Sequence, residues 1–250
     1  MSSEIFPPTR RALRLMNLVF RPARSEDCEA AVPLIYSSGP DILDHVFGQD
    51  STAKFLAAAF ADGRGFFGWQ NHTAVEAEGR VVGVGAFYSG DDYRRLSLGL
   101  VAQMFRFYAA PAALRALWRT RDLRTIMPAP SPTTHYAANL GVSPECRGQG
   151  IGAALLSHQE VVARGKERRT YALDVAVNNP RAQALYERLG FTVTRYQASP
   201  WPHEQLPSCR RMERAVVPTV STGDGALTGV PQLESRDQSS RELAPPPYRR

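Results

Sequence analysis

Hydrophobic residues in the first third of the chain predict strands and helices in alternation. Residues 17–21 suit a strand, and residues 25–38 and 51–61 carry apolar side chains at helical spacing, as in "TAKFLAAAF". Residues 73–88 form two β-rich runs joined at Glu78–Gly79, a dipeptide typical of a tight turn. We therefore expect a strand, two helices and a β-hairpin in this part of the chain.

A longer helical pattern follows the hairpin, over residues 91–130. We expect two helices here, broken at Pro111, and then a stiff proline-rich connector over 127–132. The apolar residues that define the pattern are Leu98, Val101, Met104, Phe105, Tyr108, Leu114, Leu117 and Trp118. A direct connection to the next strand would need only a few residues, so we interpret 91–130 as a helical insertion. It would be a lid over a binding site, or else additional core or the surface of a homodimer.

The remaining elements are predicted more clearly. We expect strands over 135–142, 169–177, 191–197 and 208–216, and helices over 150–165 and 180–189. Asn178 or Asn179 would cap the second of these helices, Pro180 occupies its first turn, and Gly190 ends it. The order strand, glycine-rich turn, helix, strand is a crossover unit, which predicts an α/β fold.

Composition changes at both ends and sets the expected domain boundaries. From residue 217 onward the chain is rich in Pro, Gly and Ser and has few large apolar residues, so we expect 217–250 to be a disordered tail. Residues 1–15 form an extension, and 16–216 form one domain that begins with a strand and a helix. Met16 is an alternative initiator.

The overall composition narrows the class of protein. The 250 residues are 43% hydrophobic and contain no apolar run long enough to span a bilayer, so no membrane association is expected. Three widely spaced cysteines fit neither a disulfide framework nor a zinc site, which favours a cytoplasmic protein without a bound metal. The net charge is +6, but the arginines form no nucleic-acid-binding signature, so a basic surface that attracts an anionic ligand is the preferred interpretation.

The segment "ECRGQGIG", residues 145–152, is the strongest candidate for a phosphate site. It lacks the Lys-Ser or Lys-Thr of a P-loop, and its glycine spacing differs from the dinucleotide fingerprint. The remaining phosphate-binding pattern is Arg147-x-x-Gly150-x-Gly152 before a helix. Its glycines allow backbone N–H groups to converge at the positive end of the helix dipole. An ordinary turn at a helix start explains the same residues.

A second motif lies downstream of this turn. "ALDVAVNNPRAQALYERLGF" contains the pattern L-x-V-x-x-x-N-x-x-A-x-x-L-Y-x-x-x-G-F, in which Asn179 and Tyr186 are the polar members. With "LGVSPECRGQGIGAALL", it closely resembles the GCN5-related N-acetyltransferase (GNAT) superfamily. The resemblance covers about residues 16–216 and is strong over 138–196 and loose before that. It implies a mixed, mostly antiparallel central sheet flanked by helices.

The resemblance also implies acetyl-coenzyme A as co-substrate and an amine as acceptor. The strand before the turn would pair with the pantetheine arm, the turn would hold the pyrophosphate, and Asn179 would contact the cofactor near its pantetheine. Tyr186 would protonate the departing thiolate, although packing at a helix end is the alternative. The implied cofactor-binding residues are Leu140, Gly141, Val142, Arg147, Gly148, Gln149, Gly150, Ile151, Gly152, Asn179 and Tyr186.

The general base and the acceptor are less defined. Many relatives have a glutamate on the strand before the turn, but this strand has no acid, which leaves His135, Tyr136 or a water-mediated base. Asp41 and Asp44 would attract an amine, or simply cap a helix. The expected activity is acetyl transfer to a primary amine of a small molecule or protein; a non-catalytic acyl-coenzyme A sensor or scaffold is the alternative.

Overall fold

The central feature of the fold is a sheet of seven strands, seen in a computed structural model that describes residues 17–202 and 206–217. The strand order is β1-β2-β3-β4-β5-β7-β6, and every neighbouring pair is antiparallel except β4 and β5. The strands are β1 Val19–Pro22, β2 His72–Ala77, β3 Arg80–Tyr88, β4 Thr134–Val142, β5 Thr170–Ala176, β6 Thr192–Gln197 and β7 Cys209–Ala215. The predicted mixed, mostly antiparallel sheet is therefore confirmed.

Seven α-helices flank this sheet in the described part of the chain. They are α1 Cys28–Ser37, α2 Pro40–Phe47, α3 Gln49–Asp62, α4 Gly90–Phe107, α5 Ala110–Ile126, α6 Ile151–Gly165 and α7 Pro180–Arg188. One apolar cluster joins α1–α5 to Ala74 and Val84 of the sheet. Two others join α6 and α7 to residues such as Val75 and Leu173, which point to the opposite face. The sheet therefore lies between two helical layers.

Most predicted elements agree with the structure, and two differ. Helix α2 was not predicted, because Ser38, Gly39 and its own first residue, Pro40, suggest a loop. The break between α4 and α5 lies at Tyr108–Ala109, and Pro111 is in the first turn of α5 rather than at the break. Proline is tolerated there because the N–H groups of a first turn have no partner within the helix.

The predicted ends of the chain lie outside the described residues. This applies to the extension over 1–15, to Met16 and to nearly all of the predicted tail over 217–250. Within residues 17–202 and 206–217, no helix combines the length and the apolar character that crossing a membrane requires.

Candidate active site

A gap in the sheet opens between the two parallel strands. β4 pairs with β5 only from Thr134 to Ala137, whereas β5 continues along β7 to Ala176. Beyond Ala137 the register of β4 against β3 shifts by one residue near Asn139, which has a φ of 54°. Such a bulge increases the local twist and bends the strand. The edge of β4 from residue 138 to 142 is therefore left unpaired by β5.

Gly141 fixes how this part of β4 sits in the fold. A Cβ added there would lie 2.2 Å from the backbone oxygen of Leu34, which belongs to α1. Only glycine allows the two backbones to approach this closely. The absence of a side chain thus sets the distance between α1 and the open strand edge.

The glycine turn follows β4 directly and leads into α6. Gly148 and Gly150 have φ values of 78° and 91°, a region that disfavours residues with a Cβ. Arg147 holds the turn against the strand, because its Nε donates a hydrogen bond to the Val142 carbonyl at 3.1 Å. The first N–H groups of α6 have no partner within the helix and face this turn, which is suitable geometry for an anion.

Helix α7 brings the second motif to the same place. The Asn179 side chain accepts a hydrogen bond from the Ala182 N–H at 3.1 Å, so Asn179 is the N-cap, one of the two predicted residues. Tyr186 lies two turns further on, with 8% of its surface exposed, and burial raises the pKa of its phenol to about 12. Tyr186 therefore carries its proton at neutral pH.

One cavity of about 710 Å³ connects these elements. It runs from the glycine turn and α7, past the open edge of β4, to a chamber bounded by α2, α4 and α5. Of the predicted cofactor-binding residues, only Gln149 does not line this cavity; its side chain instead donates to the Glu145 carbonyl at 2.9 Å. The cavity lining includes Leu140, Gly141, Val142, Arg147, Gly148, Gly150, Ile151, Gly152, Asn179 and Tyr186.

His135 is not brought to this cavity. It is buried on the α6 side of the sheet, where its ring stacks on Phe87 and its Nε2–H donates to Gln159 Oε1 at 3.2 Å. Desolvation lowers the pKa of His135 to about 4. Tyr136, the neighbouring candidate, does line the cavity, but its hydroxyl donates to Asp174 at 2.7 Å, and burial raises the pKa of this phenol.

Asp41 and Asp44 also lie outside the cavity lining. Asp41 is in the first turn of α2 and accepts a hydrogen bond from Asn178, and Asp44 accepts one from the Tyr36 hydroxyl. These contacts agree with the helix-end alternative for Asp41.

Cys146 does line the cavity, but desolvation raises the pKa of its thiol and so disfavours the thiolate.

Sequence reasoning missed several charged residues of the cavity. Arg181 and Arg188 line the cavity, Arg181 beside the glycine turn, and their separation of seven residues places both on one face of α7, a signal present in the sequence. Asp174 and Arg124 line the chamber at the other end, but no local motif marks them.

No cluster of three or more His, Cys, Asp or Glu residues suited to a metal occurs among the residues that the structure describes.

The chain is similar to known acetyltransferases. The 5-NmdU N-acetyltransferase of Pseudomonas phage PaMx11 is 43% identical over 54 residues, which make up 22% of this chain and about a third (36%) of that relative. A solved structure described as an acetyltransferase has a TM-score of 0.58 at 24% identity and covers 80% of this chain and 100% of its own. The N-acetyltransferase from Staphylococcus aureus Mu50 has a TM-score of 0.60 at 18% identity, covering 78% of this chain and 100% of its own.

The match to a family model extends over most of the described domain. The model of the Acetyltransferase (GNAT) family matches residues 36–191, which include the open edge of β4, the glycine turn, Asn179 and Tyr186. The solved structures share the fold, and the family model covers more than half of the chain. The chain therefore belongs to the GNAT acetyltransferase family.

Proposed function

We propose that this protein transfers an acetyl group from acetyl-coenzyme A directly to a primary amine of a small molecule or protein. One observation carries this proposal: the gap between β4 and β5, the glycine turn and Tyr186 all border a single cavity. A pantetheine arm needs backbone partners, a pyrophosphate needs converging N–H groups, and a departing thiolate needs a proton donor. The cavity offers all three in a continuous path.

The phosphate end of the site would be held by the turn and by basic residues. The N–H groups at the start of α6 provide partial positive charge, and Arg147, Arg181 and Arg188 add full charges along the same lining. Arg181 lies close to the turn, because its Nη2 is 3.6 Å from the position of a Cβ on Gly148. These residues fit the polyanionic half of coenzyme A.

The reacting end would use the β4 edge and Tyr186. Bound acetyl-coenzyme A would supply an activated thioester, and an N–H of the unpaired edge over 138–142 is available to stabilise negative charge on its carbonyl oxygen. Tyr186, protonated because of its raised pKa, would deliver a proton to the sulfur as the thioester C–S bond breaks. The acceptor amine loses one proton to water before it attacks, because only the neutral amine is a nucleophile. As the C–N bond forms, the nitrogen loses a second proton, which restores the Tyr186 phenol.

Replacing the Tyr186 hydroxyl tests this assignment. We expect Tyr186→Phe to lower kcat by about 10²- to 10⁴-fold, the usual contribution of a general acid, while acetyl-coenzyme A binds with nearly unchanged affinity. Thiol release over an amine panel measures the first quantity and calorimetry measures the second. Tyr196→Phe is the matched control, since Tyr196 is exposed on β6 and does not line the cavity.

These measurements distinguish an acetyltransferase from a protein that only binds acetyl-coenzyme A. Equal kcat for Tyr186→Phe and wild type would assign Tyr186 to packing. Tight binding of acetyl-coenzyme A by the wild type without turnover on any amine would favour the non-catalytic sensor.

A further inference from the structure

The chamber at the far end of the cavity has a wall of aromatic side chains. The Phe66 ring lies 5.4 Å from that of Tyr88 and 5.2 Å from that of Tyr93, and the Tyr88 ring lies 5.2 Å from that of Tyr136. These distances are typical of aromatic pairs. Aliphatic residues of α2 and α5, among them Ile42, Leu43 and Leu123, complete the lining. A flat apolar body in this chamber would therefore contact aromatic and aliphatic side chains.

A carboxylate that is already neutralised lies beneath the floor of this chamber. The Asp174 side chain is fully buried and receives two hydrogen bonds of 2.8 Å from the Arg211 guanidinium and a third from the Tyr136 hydroxyl. Asp174 and Arg211 are also directly opposite each other on β5 and β7. Because both carboxylate oxygens are engaged, Asp174 has little capacity to bind an additional ammonium group.

The mouth of the chamber is basic. A second, smaller cavity shares Tyr93, Ser97, Arg124 and Pro128 with the main one and is also lined by Arg94. Arg94 and Arg124 are exposed, and neither forms an ion pair with a carboxylate in the described part of the chain. The chamber therefore changes from apolar inside to positively charged at its entrance between α4 and α5.

We infer that the acceptor is an amine with an aromatic body and an anionic group at the end distant from the amine. This inference rests on the proposed acetyl transfer. The aromatic wall holds the ring, the amine points toward the β4 edge, and Arg124 pairs with the anionic group. A polyamine is disfavoured, because its additional ammonium groups would lose water beside apolar side chains and find no free carboxylate in the described lining.

Three classes of acceptor and two variants test this inference. The acceptors are phenylalkylamines of increasing chain length with a para-carboxylate, the same series without the carboxylate, and spermidine. The variants are Arg124→Gln and its control Arg121→Gln, which is exposed on the same helix and lines neither cavity. We expect kcat/KM to be highest for the phenylalkylamines with a carboxylate, lower for those without it, and lowest for spermidine. We also expect Arg124→Gln to raise KM about 10-fold for the best carboxylated acceptor only, as the loss of a charge-assisted hydrogen bond predicts.

Several results would overturn the inference and leave acetyl transfer intact. A preference for spermidine would do so, and so would an equal KM for carboxylated acceptors in wild type and Arg124→Gln. Failure of both aromatic series to react, and to bind the acetyl-coenzyme A complex in saturation-transfer NMR, would also overturn it. Failure to bind acetyl-coenzyme A, measured separately by calorimetry, would instead refute the proposed function.

Discussion

Tyr186 combines a buried ring with a place in the wall of the cavity. Its ring contacts that of Phe191 in an edge-on arrangement, which fixes the phenol relative to the sheet. The sequence alone left open whether this tyrosine packs or donates a proton, and the structure shows that it packs and also lines the cavity. Packing and proton donation are therefore compatible, and packing would position the hydroxyl.

The pH dependence of the reaction follows from the ionisable groups of the cavity. Its described lining contains no histidine, and its single carboxylate, Asp174, is paired with Arg211. We therefore expect kcat/KM to rise about tenfold per pH unit up to the pKa of the acceptor amine. It should not fall at moderately alkaline pH, because Tyr186, with a pKa of about 12, keeps its proton.

Two amines with well-separated pKa values provide the test of this pH dependence. The inflection in a plot of log kcat/KM against pH should move with the amine. An inflection that stays near pH ~6.5 for both amines would instead indicate that an ionisable group of the protein acts as the base.

His135 is expected to stabilise the fold rather than to take part in catalysis. Its pKa is about 4 in the folded protein and about 6.5 when unfolded, so the unfolded chain binds a proton first as the pH falls. The stability contributed by the neutral ring is thus fully present above pH ~6.5 and is lost as the pH falls toward about 4. His72, buried in another part of the core with a pKa of about 4, acts in the same direction.

Replacing His135 by glutamine, which retains hydrogen-bonding groups, tests this role. Melting temperature measured from pH ~7 to ~4 should fall less steeply in His135→Gln than in wild type, and kcat at neutral pH should stay within about twofold. A loss of kcat with the melting curve unchanged would restore His135 as a catalytic candidate.

At the level of elements, the contact between α1 and β4 depends on Gly141. A methyl group there would overlap the Leu34 carbonyl, so we expect Gly141→Ala to lower the free energy of unfolding by about 1–3 kcal/mol. Gly165→Ala is the control, because a Cβ at Gly165 meets no atom within 4 Å. Urea denaturation of both variants measures the difference. Equal stability of the two would show that α1 does not depend on this close approach.

Local signals made the crossover unit predictable, and weaker signals explain why helix α2 was missed. Gly150, Pro180 and Gly190 mark helix ends through their own backbone preferences, and the structure confirms all three boundaries to within one or two residues. Helix α2 also begins at a proline and ends before a glycine, but its N-cap, Gly39, provides no side-chain hydrogen bond, whereas Asn179 caps α7. Short helices of this kind form through tertiary packing, which a sequence pattern does not report.

At the scale of the whole molecule, the two ends of the cavity differ in how far the sequence revealed them. The end with the glycine turn and α7 consists of residues that lie close together in sequence, so their motifs identified it. The chamber combines groups from distant elements, such as Asp174 on β5 and Arg211 on β7, 37 positions apart. Their pairing depends on β7 lying between β5 and β6, and no local pattern specifies that order.

An isotope-labelled acetyl group can be followed from acetyl-coenzyme A to the acceptor amine. The full-length protein is incubated with ¹³C-acetyl-coenzyme A and the amine panel, and the products are identified by mass spectrometry. We predict an N-acetylated amine that carries the label, formed in equal amount to free coenzyme A and strongly reduced in Tyr186→Phe. Hydrolysis of acetyl-coenzyme A to free coenzyme A and labelled acetate alone, with no acetylated amine from any member of the panel, would contradict the proposed transfer.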